Sequence, residues 1–282
     1  ANIRQGENIA RNRSCRPCHG GQGSSIMVPP VRLDFCQPRK DVFGNMRVGV
    51  NALFLIPNRV GGAEVYLRSL LRELARIEPT LEFVIFTNRS NHESFAGYDR
   101  VLLNFNGWNL PYRIWAEQKP LISAASQAGV DLLFSPCYTG PMSAPFPHVL
   151  TLFDLNYIDV PESFVWPIRK LLAYSTPRLA RTVDAVTTSS QFSRERIVRY
   201  LRVPPERIVV APGAPSPAFF EPHLCSIDKP FLLFVGNTYP HKNVRRLSQA
   251  FLSIADRIPH DLVVLGRYFG AEPVRHPRIR RI

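Results

Sequence analysis

The stretch that decides the fold class is residues 46–77, which read MRVGVNALFLIPNRVGGAEVYLRSLLRELARI. Its first part, Arg47 to Phe54, is a short apolar run of the kind that forms a buried strand. A loop with the pair Gly61-Gly62 follows, and from Val65 to Ile77 large apolar residues recur at helical spacing with charges between them. The stretch therefore predicts a strand, a loop and a helix, which is the repeating unit of a parallel sheet.

The same alternation continues along the chain. Strands are predicted at 47–54, 81–86, 101–103, 131–134, 148–153, 185–188 and 208–210. Helices are predicted at 65–77, 113–127 with a break or kink at Pro120, 165–183 and 193–201. The pattern indicates an α/β protein whose parallel sheet is covered by helices on both faces.

A second unit is predicted after a proline-rich stretch. Five prolines between Pro212 and Pro230 mark a domain boundary. The alternation then resumes with a strand at 231–236, a helix at 243–258 and a strand at 261–266. We expect an N-terminal domain over 46–222 and the start of a second over 223–282. So short a second unit should leave one face of its sheet poorly covered.

The ends of the chain differ from the body. Residues 1–45 show no sustained period and few large apolar residues, so we expect them to be disordered or a non-native extension. The chain begins with Ala1 and stops within a predicted strand, so we expect a fragment of a longer protein. No apolar run approaches the roughly 20 residues of a membrane helix, and no apolar segment follows the early arginines. We therefore expect neither an integral membrane protein nor a secretory signal.

Charge and cysteine content narrow the class of partner and the compartment. The net charge is +13 over 282 residues, and residues 46–266 contribute +5 of it. A basic body suits a phosphorylated ligand, a nucleic acid or an anionic membrane surface, although charge that serves only solubility is an alternative. Five cysteines, odd in number and mostly far apart, favour a reducing, cytoplasmic location over a disulfide framework.

One short motif suggests a haem or a metal. Residues 15–19 read CRPCH, the attachment pattern of a c-type haem, but they lie in a basic segment without a helical pattern. Zinc binding through Cys15, Cys18, His19 and Cys36 would lack a matching second pair of ligands. We therefore expect no metal and no cofactor.

Two glycine-containing strand ends are candidate ligand sites, because open parallel sheets bind ligands beyond the carboxyl ends of their strands. At Gly61-Gly62 the backbone can approach a ligand, and the following helix offers free N–H groups to an anion or a sugar hydroxyl. The alternative is a tight turn, with Glu64 favouring the first helical turn. After Gly236, Lys242 lies near the start of the next helix, where its ammonium group would suit a diphosphate. The alternative is a solvated surface lysine.

A third strand end carries a carboxylate. Asp154 follows the predicted strand at 148–153 and is placed to face a cleft. The alternative is an aspartate that caps a helix or closes a turn.

Taken in order, several segments carry a resemblance to a known family. They are 46–51, 61–64, 129–136, 149–155, 187–193, 203–213, 234–236 and 241–243. Together they make residues 46–282 similar to the GT-B-fold glycosyltransferases of family four, a large retaining family that includes bacterial mannosyltransferases. The resemblance implies two Rossmann-like domains that face each other across a cleft, the second incomplete in this chain.

The resemblance also implies a function. Such enzymes move a hexose, with mannose as the example, from a nucleotide-diphosphate sugar to a glycan or lipid-linked acceptor with retention. They bind the acceptor mainly on the first domain and the donor mainly on the second, and they need no metal. A lipid-linked acceptor would bring the protein to the inner face of a membrane as a peripheral protein, whereas nucleic acid is not an expected partner.

Residue roles follow from the resemblance by position. Gly61, Gly62, Glu64 and Ser190 would line the cleft near the acceptor and the phosphates. Gly236, Asn237 and Lys242 would bind the donor, and Asp154 would be catalytic.

Three departures from the family pattern set the alternatives. Phe153 stands where the family commonly has a histidine, and Asn237 stands near the position of a family arginine. The chain also ends before the family's paired-glutamate segment, so we expect this fragment to be inactive alone. The alternatives are a non-catalytic remnant that acts as a binding protein, and a sister GT-B enzyme such as a sugar-nucleotide epimerase.

Overall fold

Two parallel sheets carry the fold in the computed structural model, which describes residues 46–59, 61–215, 220, 229–268, 270 and 272–282. The described residues of 46–215 surround the first sheet and are called the N-terminal lobe. Those of 229–282 surround the second sheet and are called the C-terminal lobe.

The first sheet has seven strands, and every neighbouring pair is parallel. They are β1 (Arg47–Asn51), β2 (Glu82–Thr87), β3 (Asp99–Leu102), β4 (Leu132–Ser135), β5 (His148–Thr151), β6 (Ala185–Thr188) and β7 (Ile208–Val210). Their order is β3-β2-β1-β4-β5-β6-β7. The chain adds β2 and β3 on one side of β1 and then β4 to β7 on the other, so the order of the strands reverses between β1 and β4. The seven predicted strands are all present, and ligands of such sheets bind where the order reverses.

The predicted helices of this lobe lie close to their predicted positions, and one short helix at Asn156–Asp159 was not predicted. The helices are α1 (Gly62–Ile77), α2 (Leu110–Gln118), α3 (Pro120–Gln127), α4 (Asn156–Asp159), α5 (Trp166–Thr182) and α6 (Gln191–Arg196), which continues as one π-helical turn over Ile197–Leu201. Short 3₁₀ segments lie at His92–Phe95, Pro161–Ser163 and Pro205–Arg207. The predicted helix at 113–127 is two helices, because Pro120 has no N–H to continue the hydrogen-bond ladder of α2.

Apolar side chains cover both faces of the first sheet. On one face, Leu67 and Leu71 of α1 pack with Val50 of β1. On the other, Leu121 of α3 packs with Leu133 of β4, and all five of these side chains are buried. This layering confirms the predicted α/β class.

The C-terminal lobe is smaller and covered unevenly. Its sheet has the order β10-β9-β8, with β8 (Phe231–Val235), β9 (Asp261–Leu265) and β10 (Ile279–Arg281) all parallel. A 3₁₀ turn at Pro240–Lys242 precedes α7 (Val244–Leu252), and another lies at Ala255–Arg257. Side chains of α7 pack on β9, whereas Leu233 is 54% exposed and Val235 67% exposed. The expected poorly covered sheet face is therefore present.

Candidate functional site

A cavity of about 630 Å³ lies between the carboxyl ends of strands from both sheets. Its lining from the N-terminal lobe comes from the loop after β1 and the first turns of α1. Its lining from the C-terminal lobe comes from the end of β9 and from residues that follow β8, β9 and β10. The lining residues are Asn58, Arg59, Gly61, Glu64, Val65, Arg68, Asn237, Leu265, Gly266, Arg267 and Ile282.

The first wall of the cavity is the loop that leads into α1. Gly61 caps this helix with φ 65° and ψ −124°, a backbone conformation that residues other than glycine rarely adopt. Glu64 ties the loop together, because its carboxylate accepts hydrogen bonds from the Asn58 N–H at 3.0 Å and from Arg68 Nε at 3.1 Å. The N–H groups of Glu64 and Val65 donate to the Gly61 carbonyl, so those of Gly62 and Ala63 are the ones left without a partner inside the helix.

The second wall is made of backbone from the ends of β8 and β9. The N–H of Gly236 donates to the Leu265 carbonyl at 2.9 Å. A Cβ placed on Gly266 would lie 2.2 Å from the Gly236 carbonyl oxygen, so only glycine fits there. The Asn237 side chain accepts a hydrogen bond from the Arg267 N–H at 3.4 Å and would lie 3.7 Å from a Cβ on Gly61. The two walls therefore approach each other closely at Gly61 and Asn237.

Three arginines give the cavity a positive character. Arg68 is already paired with Glu64, with 3.0 Å between Nη2 and Oε1. The Arg59 guanidinium lies 5.4 Å from the centre of the exposed Trp108 ring. Among the residues that the structure describes, the exposed Arg267 guanidinium has no hydrogen-bond or ion-pair partner. Two cations thus remain available to an anionic ligand.

The predicted donor loop reaches the N-terminal lobe through His241. His241 Nδ1 and Ser163 Oγ are 3.0 Å apart, and the imidazole stacks on Tyr239 with 5.6 Å between ring centres. Burial and the Lys242 ammonium lower the pKa of His241, and the carboxylates of Asp154 and Glu162 oppose that change. Lys242 itself is exposed and does not line the cavity.

Asp154 forms a turn at the end of β5. Its carboxylate accepts hydrogen bonds from the Asn156 N–H at 3.0 Å, from Asn156 Nδ2 at 2.8 Å and from the Tyr138 hydroxyl at 2.5 Å. Bonding to the main chain two residues on is the usual behaviour of a turn aspartate. The structure thus supports the structural alternative for Asp154, and the catalytic role stays a prediction.

The Tyr138 that holds Asp154 is itself held in an unusual conformation. Its φ is 50°, which costs energy for a residue with a side chain. The next residue anchors this segment, since Thr139 Oγ1 donates to the buried Glu117 carboxylate at 2.9 Å. Burial raises the pKa of Glu117, while Arg113, Thr139 and Asn51 oppose the rise. Burial likewise raises the pKa of the neighbouring Cys137 thiol to about 12.

Ser190 and Phe153 pack at the start of α6. Ser190 Oγ accepts from the Ser193 N–H at 3.1 Å and so caps α6. The Phe153 carbonyl accepts from Ser193 Oγ at 2.9 Å. The Phe153 ring meets Tyr66 of α1 edge to face at 5.1 Å. The phenyl ring that stands where the family commonly has a histidine therefore packs against an aromatic ring.

The structure therefore brings three of the eight predicted site residues into one cavity: Gly61, Glu64 and Asn237. Gly62, Asp154, Ser190, Gly236 and Lys242 do not line it. Sequence reasoning missed Arg59, Arg68, Gly266 and Arg267. Gly266 ends a predicted strand just as Gly236 does, and Arg267 follows it, so the strand-end rule could have found both.

The described residues show neither a metal-binding cluster nor a membrane-spanning helix. The described residues contain no group of three or more His, Cys, Asp or Glu side chains suited to a metal ion. Cys15, Cys18, His19 and Cys36, on which the haem and zinc hypotheses depend, lie outside the described residues. None of the helices in the described part of the chain has the length and apolar character needed to cross a bilayer.

Comparison with known sequences identifies the family. A sequence family described as Glycosyltransferase Family 4 matches residues 60–215, which is more than half of the 282 residues. The chain belongs to this family. The match covers α1 and all strands of the first sheet after β1. A search of curated proteins found no match.

Solved structures show the same fold at low sequence identity. The apo form of the lipopolysaccharide outer core galactosyltransferase WaaB has a TM-score of 0.52 at 12% identity, over 80% of this chain and 62% of that protein. A UDP-N-acetylglucosamine 2-epimerase from Listeria monocytogenes has a TM-score of 0.51 at 11% identity, over 84% and 69%. The chain thus spans less than two thirds of the galactosyltransferase. The predicted GT-B fold with Rossmann-like architecture is confirmed.

Proposed function

We propose that this chain carries the donor and acceptor cleft of a glycosyltransferase that uses a nucleotide-diphosphate sugar. The observation that supports it most is the cavity in which Gly61 and the start of α1 face Asn237, Gly266 and Arg267. Membership of Glycosyltransferase Family 4 favours sugar transfer over the epimerase alternative. This is the activity that we propose for the whole protein.

The chemistry of the cavity suits a sugar attached to a pyrophosphate. The diphosphate carries negative charge, and transfer of the sugar leaves further negative charge on it. Arg59, Arg267 and the N–H groups at the start of α1 are cationic or partly positive groups at this cavity. Groups of this kind, when held against developing negative charge, lower a barrier, and removal of one commonly costs about 3 kcal/mol.

The finer parts of the proposal rest on the family resemblance. They are a hexose as the transferred group, with mannose as the first donor to test, retention at the anomeric carbon, and a glycan or lipid-linked acceptor. They also include a cytoplasmic location with peripheral membrane contact, no metal or cofactor, and donor contacts from Lys242 and Gly236.

Binding of nucleoside diphosphates tests the proposal directly. Titration calorimetry with UDP, GDP and their hexose conjugates should show one site on the chain. Arg267→Ala should weaken binding about tenfold to a hundredfold, because it removes a charged hydrogen bond worth about 1.5–3 kcal/mol. Arg257→Ala is the matched control, since Arg257 is also exposed in the C-terminal lobe but does not line the cavity.

Lys242→Ala separates the two candidate phosphate sites. Loss of affinity in this variant alone would indicate that the diphosphate binds at the His241 loop and would refute its binding in the cavity. Loss in Arg267→Ala alone would refute the predicted role of Lys242. Unchanged affinity in both variants would exclude both sites.

A further inference from the structure

Three large aromatic side chains are exposed within one short stretch of the N-terminal lobe, between the end of β3 and the second half of α2. Trp108 is 61% exposed, Tyr112 41% and Trp115 51%, and we call these three side chains the aromatic platform. The ring centres of Tyr112 and Trp115 are 5.0 Å apart, and Tyr112 also packs on the buried Phe105 at 5.1 Å. Neighbouring exposed rings of this size mark a binding surface, because burying them would otherwise stabilise the fold.

Hydrogen bonds to the main chain hold the aromatic platform in place. Asn106 Oδ1 accepts from the Trp108 N–H at 3.1 Å and so closes a turn in front of α2. Asn109 Oδ1 accepts from the Tyr112 N–H at 3.1 Å and caps α2. Tryptophan and tyrosine side chains have only two rotatable bonds, so little further freedom is lost when a ligand orders them. A surface that is fixed in this way binds a ligand at a reduced entropic cost.

The aromatic platform is continuous with the cavity through the loop that follows β1. The loops after β1 and β3 leave the first sheet at the same edge, because the strands are parallel. Asn88 Nδ2 donates to two carbonyls of the loop after β1 at 3.0 and 3.1 Å, and a Cβ on Gly107 would lie 2.8 Å from the same nitrogen, so the two loops pack tightly. Arg59 lines the cavity, and its guanidinium lies 5.4 Å from the centre of the Trp108 ring. A chain molecule that leaves the cavity past Arg59 would therefore meet Trp108 first.

The composition of this stretch favours a neutral ligand. Residues 101–112 read VLLNFNGWNLPY and contain no Asp, Glu, Lys or Arg, although 20% of the whole chain is charged. Binding of an anionic bilayer or of a nucleic acid depends on clustered cations, which this stretch lacks. A stable protein interface takes about 20–30 residues from each partner, whereas the aromatic platform is a strip of three rings. Aromatic rings flanked by neutral amides complement a neutral sugar, because a pyranose has an apolar C–H face and a rim of hydroxyl groups.

We propose that the aromatic platform binds a neutral oligosaccharide, whose sugar rings stack on Trp108, Tyr112 and Trp115 and whose end reaches the cavity past Arg59. The amides of Asn106 and Asn109 are exposed, and among the described residues their nitrogens have no hydrogen-bond partner, so they can donate to sugar hydroxyls.

The inference names the class of acceptor for the cleft. The acceptor is a glycan of several sugars, held by rings that lie outside the cavity in which the reacting hydroxyl is placed. This assignment as acceptor rests on the proposed function, whereas binding of the oligosaccharide to the aromatic platform does not.

Titration calorimetry with neutral linear hexasaccharides of glucose, mannose, galactose and N-acetylglucosamine tests the inference on the full chain. At least one hexasaccharide should bind saturably, and its monosaccharide should bind about a hundredfold more weakly, because it contacts one ring at a time. Trp108→Ala and Trp115→Ala should each weaken binding of the hexasaccharide about tenfold through loss of a buried ring face. Trp108→Phe should lose less, since a ring remains. The chain has three tryptophans, and the third supplies the matched control: Trp166→Ala removes a ring that is 68% exposed on α5 and should leave the affinity unchanged.

Four outcomes would overturn the inference. They are absence of saturable binding of every hexasaccharide, wild-type affinity in both alanine variants of the aromatic platform, an equal loss in Trp166→Ala, and self-association or vesicle binding that Trp108→Ala abolishes in place of sugar binding. Unchanged circular dichroism would show that each variant folds. Trp115→Ala should leave the affinity for UDP and GDP unchanged, and Arg267→Ala should leave that for the hexasaccharide unchanged. Failure of the donor site and failure of the aromatic platform therefore give different results.

Discussion

His148 is a buried histidine whose protonation should control the stability of the N-terminal lobe below neutral pH. It starts β5, is 4% exposed, and its Nε2 lies 2.9 Å from Ser135 Oγ of the neighbouring strand. Burial lowers its pKa from 6.5 to about 4, while the Asp184 carboxylate opposes the change. The folded protein therefore resists protonation of an imidazole that the unfolded chain protonates readily.

The direction and size of the effect follow from this difference in pKa. Above pH 6.5 neither state binds the proton, so the full stability is present. As the pH falls from 6.5 towards 4, only the unfolded chain takes up the proton and the free energy of unfolding decreases. Each pKa unit corresponds to about 1.4 kcal/mol, so the total loss is about 3 kcal/mol, most of it complete by about pH 4.5.

Urea unfolding at several pH values measures this loss. The difference in unfolding free energy between pH 7 and about pH 4.5 should be smaller in His148→Gln than in the wild type by about 2.5 kcal/mol. Comparing differences within each variant removes the cost of the substitution itself. His276→Gln is the control, since His276 is exposed in the C-terminal lobe.

Two results would refute the reasoning. One is the same pH dependence in His148→Gln and in the wild type. The other is an NMR titration in which the His148 ring of the folded protein changes its shift near pH 6.5. Either result would mean that contacts other than those described around β5 stabilise the protonated imidazole in the folded protein.

Three further substitutions are tested by urea unfolding, two at contacts described above and one at Arg278 of the C-terminal lobe, whose guanidinium donates to main-chain carbonyls. Gly266→Ala should destabilise the C-terminal lobe by about 3 kcal/mol, because its Cβ would overlap the Gly236 carbonyl at a φ of 145°; an unchanged midpoint would contradict this. Tyr138→Phe should cost about 1–2 kcal/mol through the bond to Asp154, and no cost should remain once Asp154→Ala is present. Arg278→Ala should cost about 3 kcal/mol, since three carbonyls lose their donor, whereas Arg278→Lys should recover only part of it.

The sequence predicts the fold of the N-terminal lobe well for a physical reason. Strands buried on both faces are short and apolar, and most crossovers between the parallel strands here carry an amphipathic helix, so the pattern is hard to mistake. Element ends were less predictable. The strand predicted at 47–54 ends at Asn51, whose side chain accepts a hydrogen bond from the Leu53 N–H and turns the chain.

The candidate site could be predicted only in part. Gly61 is recognisable because a glycine pair precedes a helix, and Asn237 because it follows a strand. Lys242 was chosen for its charge, but its exposed side chain does not line the cavity, whereas Arg267 does. Which of several basic residues faces a cleft depends on the approach of two lobes, and local patterns do not contain that information.

The close approach of Gly236 and Gly266 limits how this cavity can change during evolution. At Gly266 there is room for no side chain, so that part of the surface offers only main-chain atoms. A new ligand preference cannot arise there by exchanging residues. Selectivity among related compounds must instead be altered at the rim, where Arg59, Asn237 and Arg267 carry replaceable groups.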